Sequence, residues 1–282
     1  MNNQGITGVK LKTFKTLMYI SLSLLAVATL FPLFWGILTS LKTEQQALSI
    51  PPIWILKEFH WENYTDAWNQ IPFGRYYLNT TIMTVFTTLG SILTSAMAGY
   101  ALAKFPFKGQ KTILLIIIAT MMIPYWVNLV PVFIILAKLK WLDTFWGLII
   151  PQLASPFGIF MMRQYMVSLP IDYIHAGRID GANEWQIFWK IVLPQCTPAL
   201  ATLAILFFVR SWNSLMWPLI VTSSLEMRTV TVGLAFLSGS PQRTQYALQM
   251  SAATLGMIPA IIVFLIFQKY LIRGISLSGI KG

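Results

Sequence analysis

Ionisable side chains are scarce in this sequence, and charged and turn residues form one compact unit between long apolar runs at His175–Pro198, in HAGRIDGANEWQIFWKIVLPQCTP. That stretch holds one of the two histidines, the only cysteine (Cys196), and Arg178, Asp180, Glu184 and Lys190. None of the spacings suits a covalent reaction. His60 and His175 stand far apart, so no metal-ligand cluster forms, and no hydroxyl or thiol sits in a nucleophile–base pattern. The phosphate-cradling pattern G-x-x-x-x-G-K-[ST] is also missing. GISLSGIKG at Gly274–Gly282 comes nearest, with Lys281 one place out of register and no hydroxyl after it. No cofactor or metal is therefore expected on this chain, and any nucleotide energy must enter through another subunit. Cys196 reads as a small packing residue.

A second polar group interrupts an apolar run: Arg210, Trp212 and Asn213. Arginine inside a membrane is costly and marks a functional site by default. Asn79 and Asn128 are weaker candidates, since a lone Asn in a bundle often joins one helix to another. These residues need a scaffold, and the composition names it. The chain has 282 residues, 56% hydrophobic and 10% charged, where a soluble domain carries about 25% charged residues. Charge-free runs long enough to cross a bilayer, which takes about 20 residues, span Thr16–Leu41, Tyr76–Ala103, Thr112–Ala137, Thr144–Met162 and Thr244–Gln268; Gln195–Leu225 is broken only by Arg210. Continuous apolar runs are helices, because barrel strands alternate. The fold class is an all-α membrane protein with six transmembrane helices. All nine carboxylates fall in loops, which argues against a carrier driven by a proton or sodium gradient.

Loop Lys and Arg orient the spans. The side with the N-terminal tail, the Lys104–Lys111 loop, the 163–194 loop and the C-terminal end from Lys269 holds twelve, and the other holds seven. Both termini are expected in the cytoplasm, with tails over 1–15 and 273–282 flanking a permease domain over 16–272. The first run is too long for a cleaved signal and reads as a permanent helix. The net charge of +11 is spread over loop ends, which does not make a nucleic-acid patch. The outward loop Lys42–Arg75 carries Trp54, Trp61 and Trp68 of an aromatic belt, and a glycosylation-like triplet, Asn63-Tyr64-Thr65.

Within His175–Pro198 the local signals predict two short helices and a bend. Asp172 caps Tyr173–Ile179, Gly181 takes the left-handed conformation that ends a helix, and Asn183 caps the next. In that second helix Trp185, Phe188, Trp189 and Val192 form one apolar stripe at α-helical spacing. Such a knob either lies on lipid headgroups or docks in a groove of a partner protein.

The same residues resemble the EAA loop of binding-protein-dependent ABC importer permeases, matching at Ala176, Arg178, Asp180, Gly181, Ala182, Phe188, Leu193, Pro194 and Pro198. ENYTDAW, PFGRYYLNT, AGYALAKFPFKG, MMIP, SWNSLMWPL and the terminal GIKG extend the likeness over nearly the whole chain, toward the carbohydrate (maltose/maltodextrin-type) branch. Two positions depart from the signature: His175 replaces its Glu and Gly177 its second Ala. Gly177 is expected to loosen the first short helix.

The resemblance implies a type I importer permease bundle with a cytoplasmic coupling loop at 163–194. Two such membrane subunits would form a sugar pathway, two ATPase subunits would bind ATP and Mg, and an extracytoplasmic binding protein would deliver solute. His175, Ala176, Gly177, Arg178, Asp180, Gly181 and Ala182 would then face the ATPase, as would Lys281 and Gly282. Arg210 would bind a hydroxylated or anionic solute, or pair with carbonyls of the partner permease. The alternative is a self-contained passive channel or gradient-driven carrier, its knob only a surface anchor.

Overall fold

A computed structural model describes the backbone of residues 3–238 and 245–278, with side chains over 14–237 and 245–268. Every regular element among them is helical. The chain divides into two compact units, Met1–Ile71 with Leu237–Gly256, and Pro72–Phe236 with Met257–Gly282.

In the first unit, helix α1 (Asn3–Ser40) carries the first apolar run, and its side chains are exposed from Phe14 to Phe34. Two short helices follow, α2 (Glu44–Ala47) and α3 (Glu62–Gln70). A helix end leaves carbonyls without partners, and here α3 supplies the donor. The Asn63 side-chain amide donates to the carbonyls of Ser40 (2.9 Å) and Lys42 (2.8 Å). Asn63 is thus a capping residue, which gives the glycosylation-like triplet a structural role. Buried Lys42 lies over the Trp35 ring at 4.2 Å, and burial holds its ammonium below the ordinary lysine pKa. The Glu44 carboxylate accepts from the N–H groups of Tyr246 (2.9 Å) and Ala247 (3.2 Å), at the first turn of the helix Tyr246–Ser278. Carboxylates favour that end of a helix dipole.

The second unit is built on α4 (Phe73–Lys104), whose 32 residues extend about 48 Å at 1.5 Å per residue. Next come α5 (Gln110–Met121), a 3₁₀ turn at Tyr125–Asn128, α6 (Leu129–Lys138), α7 (Phe145–Ile149), α8 (Pro156–Val167) and α9 (Asp172–Ile179). They lead to α10 (Glu184–Gln186), a π-helical segment Ile187–Val192, α11 (Leu193–Gln195), α12 (Thr197–Trp212), α13 (Met216–Val221) and α14 (Val230–Ser238). The 33-residue helix Tyr246–Ser278 is α15. Small residues let helices approach closely, and α4 meets α8 that way. A Cβ on Gly99 would sit 2.8 Å from Met162 Cβ and 2.9 Å from the Arg163 nitrogen.

The spans are less straight than the apolar runs imply. Among the described residues, three helical stretches are long and apolar enough to cross a membrane alone: Phe14–Ser40, Phe73–Lys104 and Tyr246–Gln268. The run read as a single span over 112–137 is two helices meeting at 97°. Pro124 causes this, since proline lacks the N–H and drives its predecessor out of the helical region. The span read at 144–162 bends by 42° between Phe145–Gln152 and Pro156–Val167. The run 195–225 is helical only to Trp212, beyond which a separate turn of helix begins at Met216. Its lower end bends by 79° from Glu184–Gln195, where Pro194 and Pro198 interrupt the ladder.

Candidate functional site

The loop after α8 is moored to the bundle by backbone carbonyls. Lys104 Nζ donates to Leu169 O (2.6 Å), and the Tyr165 hydroxyl to Gln195 O (3.3 Å). Helix α9 begins at Asp172, which sits in its first turn while Ile171 holds the cap position without a side-chain bond. The bend at Gly181 has φ +79°, the left-handed region that glycine enters without strain. The N–H of Ala182 reaches Gly177 O (2.9 Å), and that of Gly181 reaches Arg178 O (3.1 Å). These two bonds are the six-to-one and five-to-two pairs of a Schellman cap. Asn183 and Gln186 then form a reciprocal capping box, satisfying two orphan N–H groups at once.

The face that packs inward differs from the expected stripe. Ile174 and Gly177 of α9 are buried against Ile187, with Phe188 and Val192 joining a core that includes Tyr100, Met162, Met166 and Cys196. Trp185 and Trp189, expected in the same stripe, are exposed. The segment Ile187–Val192 is π-helical, and bonding to the fifth residue widens the turn. Side chains therefore return to one face after more than 3.6 residues, and the two tryptophans rotate outward. Cys196 is fully buried.

Gly177 also has another role than loosening its helix. A Cβ there would stand 2.6 Å from Ile191 Cδ1 and 3.3 Å from Ile187 Cγ1, so glycine permits the close seat of α9. Outward lie His175, Ala176, Arg178, Asp180 and Gly181, together with Ile179 at 85% exposure. Ala182 packs half-buried against the core. Arg178 is not simply presented outward: its Nε donates to Glu184 Oε1 at 2.8 Å, and Tyr100 of α4 reaches the other carboxylate oxygen at 3.3 Å. The sequence reading missed this tie, because Tyr100 is distant in the chain. Lys281 and Gly282 lie outside the described residues.

The residues singled out in the apolar runs separate into two groups. Arg210 and Asn128 line one cavity of about 600 Å³, formed by α4, α8, α12, α13 and the break between α5 and α6. The Arg210 guanidinium stands 5.8 Å from the Tyr125 ring centroid. Thr87, Ser91, Gln152, Ser155 and Ser211 add polar lining that isolated hydroxyls and a single amide in apolar runs gave no reason to select. Asn79 is elsewhere: fully buried, it donates to Glu226 O (2.6 Å) and Arg228 O (2.9 Å), clamping α4 to the segment after α13. Trp212 is buried, stacked on Phe208 at 5.7 Å and edge-on to Tyr77 at 5.7 Å. Asn213 is exposed at the end of α12. Asn79, Trp212 and Asn213 do not line the cavity.

A helical bundle of bent spans around a polar-lined cavity, with a capped double-helix foot below, has clear counterparts. The family model described as binding-protein-dependent transport system inner membrane component matches residues 91–277, from mid-α4 through the foot into α15. The chain belongs to this family. It is 38% identical over 275 residues to the arabinooligosaccharides transport system permease protein AraQ of Bacillus subtilis, covering 95% of both chains. With the sn-glycerol-3-phosphate transport system permease protein UgpE of Yersinia pestis it shares 33% identity over 253 residues, covering 87% of this chain and 90% of the relative. Among solved structures, a bacterial ABC transporter for import of the acidic polysaccharide alginate matches with a TM-score of 0.83 at 25% identity, over 92% of this chain and 96% of that one. The protein is accordingly a multi-pass inner-membrane transport component, a permease rather than an enzyme, that works with a binding protein.

Proposed function

We propose that this permease is one membrane half of an ATP-driven sugar importer, and that its loop 163–194 is the foot through which separate ATPase subunits move the spans. A second permease, a different chain, completes the pathway. ATP and Mg reside on two ATPase subunits, and the binding protein delivers sugar from outside. Both termini face the cytoplasm. The relatives named for arabinooligosaccharides and alginate support the sugar class. The observation that carries the coupling role is the two-sidedness of α9. Ile174 and Gly177 are locked into the core while His175, Ala176, Ile179 and Asp180 stand outside it. A foot that is rigidly seated on one face and offers a compact exposed tip on the other can pass a displacement to α4, α8 and α12. Nucleotide-driven closure favours one arrangement only if the motor binds the foot differently in the two states.

Crosslinking tests the reading. A photoreactive side chain at Ile179 in native membranes should capture an ATPase polypeptide in high yield. Capture of phospholipid alone would return the foot to a headgroup anchor. Purification should also bring down two further chain types, one of them a second permease. Isolation of a lone, transport-competent chain would support the channel or carrier alternative instead.

A further inference from the structure

The loop between α2 and α3 holds its most apolar side chains outside. Ile50 is 96% and Ile55 86% exposed, and Leu48, Trp54 and Phe59 are each more than half exposed. From Ala47 to Leu56 the segment ALSIPPIWIL carries no charge. Apolar residues scattered singly over a surface are ordinary, but a concentration of them marks an interaction surface.

Two ring contacts set the height of this loop beside α1. The Trp54 ring lies 4.9 Å from that of Trp35 and 6.0 Å from that of Phe31. Those residues stand five and nine positions before the end of α1 at Ser40, which is about 7.5 and 13.5 Å along the axis. The chain thus turns back along the span after leaving it. The charge-free run Thr16–Leu41 has 26 residues, about 39 Å of helix against ~30 Å of hydrocarbon. Shared between the ends of an upright helix, the surplus leaves about 4–5 Å outside each boundary. Trp54 therefore reaches the acyl boundary or below it. The Lys42 ammonium lies 4.2 Å from the same Trp35 ring, and indoles and lysines meet at headgroup level. Irregular backbone does not enter hydrocarbon with free N–H groups. Pro51 and Pro52 lack that donor, and side chains alone reach deeper when the backbone rests at the boundary. The composition changes at α3, whose exposed residues include Glu62, Thr65, Asp66 and Gln70.

We propose that the α2–α3 loop is a membrane wedge: Ile50, Trp54 and Ile55 insert into the leaflet beside the C-terminal end of α1, while α3 stays in water. The partner is the acyl region of phospholipid, and a segment without charge selects no particular headgroup. The three tryptophans of this loop, grouped in one belt by sequence, then have different surroundings. Trp54 enters lipid against α1, whereas Trp61 stacks on Tyr64 of α3 at 6.1 Å.

The test places nitroxides on single cysteines at Ile50, Ile55, Leu25 and Thr65, in a Cys196→Ser background. The chain is purified with its native companion subunits, their accessible thiols blocked beforehand, in nanodiscs of phosphatidylcholine and phosphatidylglycerol. Leu25, exposed in mid-α1, is the lipid reference and Thr65 the water reference. Collision with oxygen, which concentrates among acyl chains, is compared with collision with a water-soluble nickel chelate. At Ile50 and Ile55 the oxygen-to-nickel ratio should shift from the Thr65 value toward that of Leu25. A ratio at either position equal to that at Thr65 would put the loop in water and overturn the proposal. Exclusion of both reagents would overturn it too, because a protein surface would then cover the loop. Both side chains are exposed, so the labels displace no packing. A second reading needs no cysteine: p-benzoylphenylalanine at Ile55 in native membranes should yield phospholipid adducts, and adducts to polypeptide alone would refute the wedge.

Discussion

Replacing Gly181 with Val should disconnect ATP hydrolysis from uptake while leaving the protein folded in the membrane, and the structure sets the size of the effect. A Cβ at this position meets nothing within 4 Å, so no steric clash contributes. The whole penalty is conformational, from forcing a side chain to hold φ +79°. For an ordinary residue that costs roughly 1–2 kcal/mol, and a β-branched one lies at the upper end or above. Opposing it are the two cap bonds, Ala182 N–H to Gly177 O and Gly181 N–H to Arg178 O. Each contributes about 0.5–1.5 kcal/mol net. Strain and restraint are therefore comparable, so the turn should reopen locally and the bundle should stay intact. The neighbouring capping box and the buried Ile174 contact survive on either side of the bend. Ranking substitutions separates backbone strain from size: Gly should exceed Asn, then Ala, then Val, because Asn tolerates the left-handed region. The assay is sugar uptake per ATP hydrolysed in proteoliposomes at matched permease content, with membrane insertion checked separately. Wild-type coupling in Gly181→Val refutes the assignment. An order that follows side-chain volume, with Asn as damaging as a residue of equal size, refutes the strain argument.

At Gly177 the sign is set by packing. Gly177→Ala gains about 1 kcal/mol of helix propensity but pushes Ile191 Cδ1, the free end of a half-buried side chain, so thermal stability should change little; Gly177→Leu overpacks the seat and should cost about 1–3 kcal/mol by thermal unfolding in detergent. Asn79→Leu strands the carbonyls of Glu226 and Arg228 and should lower stability by about 1–3 kcal/mol with unchanged sugar affinity, whereas a loss of affinity at wild-type stability would put Asn79 in the pathway. Asp143 stabilises its loop in a pH-dependent way. Burial opposes its ionisation, but N–H bonds from Ser223 and Ser224 at 2.9 and 3.1 Å outweigh that and hold its carboxyl below the ordinary value. A depressed folded-state pKa means the stabilisation is present above the unfolded value of about 3.9 and is lost as pH falls through the folded one. Asp143→Asn, which also tolerates the φ of 56° here, should therefore speed amide exchange in that loop at pH 6, with the difference from wild type closing below about pH 4.

Several features depend only on neighbours in sequence and were legible there. Runs of apolar residues identify spans because lipid removes every alternative to an internally bonded helix. The bend at Gly181 and the cap at Asn183 follow from side chains acting on their own backbone within four residues, and both stand in the structure. The family motif is local too, so the comparison with known permeases repeats what its residues imply. Arg210 and Asn128 were singled out as polar atoms in apolar runs, a signal that needs no fold.

What tertiary structure decided is which of those polar atoms meet. Asn79 and Asn128 look alike in sequence, but α4 turns the first toward the carbonyls of Glu226 and Arg228, and the break at Pro124 opens the second onto the cavity. Thr87, Asn128, Gln152 and Arg210 come from four separate stretches of chain and share a wall only after packing. The outward turn of Trp185 and Trp189 required the π-helical segment, whose wider spacing no α-helical period anticipates. Gly177 is the plainest case. In sequence it weakens a helix, because propensity counts only the backbone it frees; in the fold it lets Ile187 and Ile191 come near, since contact distance is set by the chain on the other side.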